Sequence, residues 1–119
     1  MKVCITAKDA TEKAEVDPRF GRCAHFCFYD TEKDTYSFER NSFTHETGGV
    51  GVQASQHLVT NGVSALLTGQ VGPNAFKVLE AAEIPVYTDI TGTVAEAAAQ
   101  YKSGNLEATG EPTNRGHIA

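Results

Sequence analysis

The stretch that decides the fold is residues 23–41, CAHFCFYDTEKDTYSFERN, which reads as two strands joined by a polar turn. Aromatic residues dominate the run from Cys23 to Tyr29, and they alternate with polar residues from Thr35 to Asn41. Alternation with a period of two residues is typical of a half-buried strand, and a short polar connection favours neighbouring strands. The stretch therefore predicts an antiparallel hairpin.

The residues on both sides of the hairpin predict the rest of an α/β domain. Before the hairpin, residues 2–7 form a short β-rich run that fits a buried strand. After it, the pattern predicts helices over 50–61, from Pro73, and from a capping box at Thr93 and Glu96, with strands over 63–68 and 84–87 between them. We therefore expect a mixed five-stranded sheet in a three-layer α/β/α sandwich, with ligand-binding loops at the carboxyl edge of the parallel strands.

Length and charge limit the classes of protein that this chain can represent. Its 119 residues predict a single domain over 1–106 followed by a polar tail over 107–119. The net charge of −5 argues against nucleic acid as a partner, because phosphate binding needs a basic surface. No apolar run is long enough to span a membrane, and the N-terminal apolar run is too short for a signal peptide, so we expect a cytoplasmic protein. Three cysteines without a Cys-x-x-Cys pair predict free thiols.

Cys23, His25 and Cys27 are candidate metal ligands because alternate residues of one strand share a face. Two thiols and an imidazole suit copper, zinc or metal–sulfur clusters. Cysteine also packs as a small apolar residue in protein cores, so burial is the alternative interpretation. Between these two interpretations we expect a split outcome, with Cys23, which is nearest the preceding loop, as the most exposed thiol.

Two kinds of loop residue are candidate contacts for an anion. The loop over 8–22 ends in Arg19, Phe20, Gly21 and Arg22, which combine positive charge with an apolar anchor. Glycine-rich segments precede two predicted helices, whose N-termini offer free N–H groups to an anion. Their candidate residues, together with a histidine that could reach the same edge, are His45, Gly48, Gly49, Gly51, Gly72 and Asn74. The alternative is that these glycines only shape loops and that the arginines are solvated.

The chain resembles the dinitrogenase iron–molybdenum cofactor biosynthesis family from Met1 to about Leu106. The resemblance rests on DPRFGR at 17–22, GGVG at 48–51, TGQVGPNAF at 68–76, IPVY at 84–87 and GTV at 92–94. It implies a ribonuclease H-like fold without nuclease activity, and it is strongest to a stand-alone bacterial and archaeal group that includes the orange protein. Nitrogenase carriers of the family commonly have His where this chain has Arg19, which favours an electrostatic contact there over metal ligation. Many relatives have Gly where this chain has Glu83.

The function that this resemblance implies is a carrier for an anionic metal–sulfur cluster that contains molybdenum, with copper or iron. The cluster would pass to an unidentified recipient protein, with Cys23 or His25 as a possible metal ligand. The alternative is a regulatory or protein-interaction module without a cofactor. No nucleophile elbow or phosphate-loop pattern is present, and Cys23 and His25 lack an evident orienting third group, so we expect no enzymatic activity.

Overall fold

The computed structural model describes residues 1–45 and 49–110, except for the side chain of His45. Its strands are β1 (Lys2–Ala7), β2 (His25–Asp30), β3 (Thr35–Arg40), β4 (Ala65–Leu67) and β5 (Val86–Tyr87). Its helices are α1 (Val50–Thr60), α2 (Pro73–Ala81) and α3 (Val94–Ser103), with a 3₁₀ turn over Ser42–His45. No helix in the described ranges is long and apolar enough to cross a membrane.

The five strands form one mixed sheet in the order β3-β2-β1-β4-β5. The hairpin strands pair antiparallel to each other and to β1, whereas β4 pairs parallel to β1 and β5 parallel to β4. The predicted hairpin and the predicted mixed five-stranded sheet are therefore confirmed. Strands β4 and β5 are shorter than predicted: β4 covers the middle of the predicted strand over 63–68, and β5 covers the last two residues of the predicted strand over 84–87.

The helices cover opposite faces of the sheet. Leu58 of α1 and Leu79 of α2 pack with Phe26 and Leu66 in one core cluster, and Ala97 of α3 packs in the cluster on the other face. This arrangement confirms the three layers. Because β1, β4 and β5 run parallel, the loops after them meet at one edge of the sheet, and both α1 and α2 begin there.

Glu83, which ends the turn after α2, has a left-handed backbone with φ of 59°. A side chain is strained in this conformation by roughly 1–2 kcal/mol, and glycine is not, although glycine also loses more chain entropy on folding. We expect Glu83→Gly to raise the free energy of unfolding by about 0.5–1 kcal/mol. Urea unfolding of Glu83→Gly and of Glu80→Gly is the measurement, since both remove one charge but Glu80 lies in α2. Glu80→Gly should be less stable than the parent, because glycine is unfavourable in a helix interior. An equal loss of stability in Glu83→Gly and Glu80→Gly would contradict the prediction.

Candidate functional site

A pocket of about 230 Å³ lies at the carboxyl edge of the sheet. Six of the predicted site residues line it: Phe20, Gly21, Gly49, Gly51, Gly72 and Asn74. The remaining lining residues are Val50, Val52, Pro73 and Ala75, which add apolar surface. Three segments that are distant in sequence, the 17–24 loop and the first turns of α1 and α2, therefore meet around one space.

The two helices that begin at this pocket are not capped by side chains. Neither the Gly49 position of α1 nor the Gly72 position of α2 supplies a capping side chain, and neither first turn contains an acidic residue. The first helical hydrogen bonds are donated by Gln53 N and Phe76 N, so the preceding amides have no partner within their own helices. By contrast, Thr93 and Glu96 cap α3 with a complete capping box, as predicted.

Gly21 and Gly51 allow the walls of the pocket to approach each other. A Cβ atom on Gly21 would lie 2.9 Å from the amide nitrogen of Gly51, and one on Gly51 would lie 3.1 Å from Cβ of Ala75. Backbone atoms cannot move aside as a flexible side chain can, so a larger residue at position 21 would press on the first turn of α1. The glycines at these positions keep the backbone of the pocket accessible.

Ser55 joins the two helix starts beneath the pocket. Its buried hydroxyl lies 2.7 Å from the carbonyl oxygen of Gly51 and 3.3 Å from the carbonyl oxygen of Ala75. A hydroxyl can donate to either of these acceptors. Ser55 thereby links the first turn of α1 to the first turn of α2.

The loop over 17–24 is held by two buried polar side chains. Asp17 accepts hydrogen bonds from the backbone N–H groups of Arg19 and Ala24, each at 3.1 Å. Asn41 donates to the carbonyl oxygens of Gly21 at 3.0 Å and Cys23 at 2.9 Å. Both anchoring residues are only 3% exposed, and together they place the loop against α1.

The two arginines flank the pocket in sequence but do not line it. The Arg19 side chain is 66% exposed, and its Nε lies 3.6 Å from the Asp17 carboxylate. Arg22 donates from Nη1 to the carbonyl oxygen of Thr44 at 3.3 Å. Both arginines are therefore next to the pocket-lining residues Phe20 and Gly21 in sequence, and neither side chain lines the pocket. Gly48 and the side chain of His45, which were also predicted to contribute, lie outside the described residues.

Of the expected shared face of Cys23, His25 and Cys27, the part that concerns Cys23 is wrong, whereas His25 and Cys27 are alternate residues of β2 and share a face. Strand β2 begins at His25, so Cys23 lies before the strand and packs in the core cluster with Phe20, whereas Cys27 packs in the cluster on the α3 face. The expected exposure of Cys23 is also wrong, because Cys4, Cys23 and Cys27 are all fully buried. His25 is half-buried, and its buried Nδ1 has no hydrogen-bond partner among the described residues.

The chemistry of the thiols does not favour metal ligation in this conformation. Burial raises the pKa of Cys23 to about 12, with a further contribution from the nearby Asp17 carboxylate. Burial likewise raises the pKa of Cys27 to about 12. A thiol binds metal as a thiolate, which these pKa values disfavour. Within residues 1–45 and 49–110, no group of three or more His, Cys, Asp or Glu side chains is placed to hold a metal ion.

We expect native thiols to resist alkylation, since each is buried and protonated. Iodoacetamide at mildly alkaline pH should modify the three cysteines no faster than the protein unfolds, and all three should react together in urea. Peptide mass spectrometry at successive times measures the modification at each position. Rapid labelling of Cys23 alone in native protein would show that the 17–24 loop opens independently of the core.

Some residues of the site were not identified from the sequence. Asn41 follows a strand and Ser55 lies on the inner face of α1, and neither belongs to a recognised motif. The sequence could have indicated them in one way only: a polar side chain at a position that faces inward must find a hydrogen-bond partner. That rule marks such residues as anchors but does not say which segment they bind.

The chain is similar to known proteins in both sequence and structure. A family model described as dinitrogenase iron-molybdenum cofactor matches residues 1–104. The apo form of the orange protein from Desulfovibrio gigas is 34% identical, with a TM-score of 0.90 over 94% of this chain and 95% of that chain. A Thermotoga protein of the DUF35 family is 35% identical, with a TM-score of 0.80 over 97% and 98% of the respective chains. An uncharacterized protein of Methanocaldococcus jannaschii is 27% identical over 95 residues, which are 77% of this chain and 80% of the relative.

Proposed function

The chain belongs to the dinitrogenase iron-molybdenum cofactor family, and from that premise we propose that it carries an anionic metal–sulfur cluster in the pocket between α1 and α2. The cargo is a cluster of the molybdenum–copper or iron–molybdenum type. The chain binds it and transfers it to a recipient protein without catalysing a reaction. The observation that carries the proposal is the convergence of two helix N-termini without side-chain caps on one glycine-lined pocket.

The chemistry of the pocket fits an anion with soft, weakly hydrated sulfur atoms. Helix N-termini carry a partial positive charge and free N–H donors, and two of them act together here. The side chains of Phe20, Val52 and Ala75 provide apolar surface. Weakly hydrated sulfur atoms lose little hydration when they contact such a surface, whereas a strongly hydrated anion loses much more. Such contacts hold cargo without a covalent bond, which suits a protein that must also release it.

Arg19 and Arg22 would act as neighbouring positive charges. Neither side chain lines the pocket, so their contribution is Coulombic attraction that weakens with salt, and it is not a fixed hydrogen bond to the cargo. Cys23 and His25 are not part of the proposed set of contacts. The thiol of Cys23 is buried beneath the loop, and His25 lies on the strand face that carries Cys27.

Asn74→Asp tests the proposal because it should weaken the binding of an anion without lowering the stability of the protein. Asn74 is exposed in the first turn of α2 and lines the pocket. A carboxylate there favours the helix dipole but repels an anion at the same N-terminus. We expect about tenfold weaker binding of tetrathiomolybdate, with or without copper, and no loss of stability. Visible absorbance and backbone amide shifts measure the binding, and a thermal melt measures the stability.

Gln56→Glu is the matched control, since it adds one negative charge to α1 away from the pocket. Its affinity should stay close to that of the parent. Replacing both Arg19 and Arg22 with Ala should weaken binding at low salt and reduce its salt dependence. Equal affinities of Asn74→Asp and Gln56→Glu would overturn the proposed site. Failure of the parent protein to bind either probe would instead favour an interaction module without a cofactor.

A further inference from the structure

The two edge strands of the sheet differ in whether another part of the chain covers them. At the β5 edge, the chain after α3 returns along the strand, and Thr109 N donates to the carbonyl oxygen of Val86 at 2.6 Å. At the other edge, β3 pairs with β2 on one side and with no strand on its outer side in the part of the chain that is described. An open edge presents unpaired N–H and C=O groups that can bind another strand.

The hydrogen bonding of the hairpin identifies the residues that face outward. Asn41 N donates to Ala24 O, so Asn41 and the residues two and four positions before it point their backbone groups towards β2. Because backbone direction alternates along an antiparallel strand, Tyr36, Phe38 and Arg40 point their N–H and C=O groups outward. Asp34 cannot extend this edge, because its amide already donates to Asp30 O and its φ is 56°.

The same outward residues carry aromatic surface that the fold covers only in part. Tyr36 and Phe38 are half-buried and pack at the margin of the cluster on the α3 face. The ring of Tyr36 stacks against Tyr29, with ring centroids 4.9 Å apart. Among the described residues, α3 is the helix that packs on this face, and it contacts the central strand β1, which leaves these rings at the rim.

We propose that β3 pairs with β3 of a second copy of this chain, antiparallel and with the two-fold axis at Phe38. In this register Phe38 faces Phe38 of the second copy, and Tyr36 faces Arg40 of the second copy. The first is an aromatic pair, and the second places a guanidinium beside a ring. On the opposite face, Ser37 meets Glu39 of the second copy, so no like charges oppose each other. The two sheets become one continuous sheet.

Neighbouring registers are less favourable for physical reasons. A shift by two residues in one direction places Glu39 opposite Glu39 of the second copy, which is a repulsive pair. A shift in the other direction pairs Arg40 with Asp34, whose amide is already bonded within the hairpin turn. A shift by one residue places each residue with outward N–H and C=O groups opposite a residue whose groups already bond to β2, so the ladder between the two copies cannot form. The register at Phe38 alone pairs every outward residue of β3.

Cross-linking of two single-cysteine variants tests this register. Ser37 and Glu39 of the second copy form a pair that is not hydrogen-bonded, and such pairs have the closest side chains of an antiparallel ladder. We expect Ser37→Cys and Glu39→Cys to form an interchain disulfide when mixed under mild oxidation, and neither variant to cross-link alone. The three native cysteines are fully buried and should not compete. Disulfide formation by Ser37→Cys alone, or none in the mixture, would overturn the proposal.

The mass of the protein in solution provides a second test. Sedimentation equilibrium of the parent from micromolar to millimolar concentration should show a monomer–dimer equilibrium. Phe38→Lys should raise the dissociation constant by more than about tenfold, because the two-fold axis would then carry two like charges. Val59→Lys is the matched control, since Val59 is 43% exposed on α1 and lies beside Val78 and Ala82 of the α2 segment, so this variant should dimerise as the parent does. A parent protein that stays monomeric throughout, or equal effects of the two lysine variants, would contradict the proposed interface.

Discussion

Asn41→Asp is expected to destabilise the protein by about 3–5 kcal/mol at neutral pH. The Asn41 amide donates to the carbonyl oxygens of Gly21 and Cys23, and its own oxygen accepts from Phe43 N at 2.9 Å. The variant would place a carboxylate oxygen against two carbonyl oxygens at a position that is 3% exposed. The substitution changes almost no volume, so the loss would come from the missing donor and the buried charge.

The pH dependence of this variant separates those two causes. A carboxyl group in this environment has its pKa raised in the folded state, because burial and facing oxygens disfavour the charge. Its destabilisation should therefore diminish as the pH falls and the group becomes protonated, and increase as the pH rises. Urea unfolding at several pH values measures this difference. Asn105→Asp, at an exposed position after α3, is the control and should be close to neutral at every pH. A loss that does not vary with pH would mean that the charge is not buried.

Asp17→Ala should cost about 2–4 kcal/mol of stability. The Asp17 carboxylate accepts from Arg19 N and Ala24 N and lies near the Arg19 guanidinium, so its removal leaves two partly buried backbone donors without a partner. The exposed ion pair with Arg19 contributes little of this. We also expect faster amide hydrogen exchange at Ala24, because that bond closes the loop.

Asp9→Ala is the appropriate comparison for this effect. Asp9 lies in the exposed part of the 8–22 loop, where its carboxylate accepts from Ala10 N at 2.8 Å. Solvent can replace that interaction, so the free energy of unfolding should change by less than about 1 kcal/mol. If Asp9→Ala and Asp17→Ala cost the same, the 17–24 loop is not anchored by its buried carboxylate. If exchange at Ala24 stays slow in Asp17→Ala, the loop is held mainly by Asn41.

Local patterns in the sequence were sufficient for most of the architecture. Alternation of aromatic residues indicated the hairpin around 31–34, the spacing of Thr93 and Glu96 indicated a capped helix, and glycines marked the starts of α1 and α2. Each of these features depends on neighbours within a few residues, where backbone geometry and side-chain direction are set by short-range physics. The glycine-rich segments could therefore be placed at the correct edge of the sheet once the order of strands and helices was known.

Contacts between distant segments were beyond such patterns. The faces of Cys23 and Cys27 could be assigned only if the strand began at Cys23, and it begins at His25 because Asp17 and Asn41 hold the preceding residues in a loop. The same anchors hold the loop in which Phe20 and Gly21 line the pocket and Arg19 and Arg22 do not. Period and propensity are local, whereas burial and hydrogen-bond partners across the chain follow from how the whole core closes. The types of residue at the pocket could thus be predicted from sequence, and their relative positions required the tertiary structure.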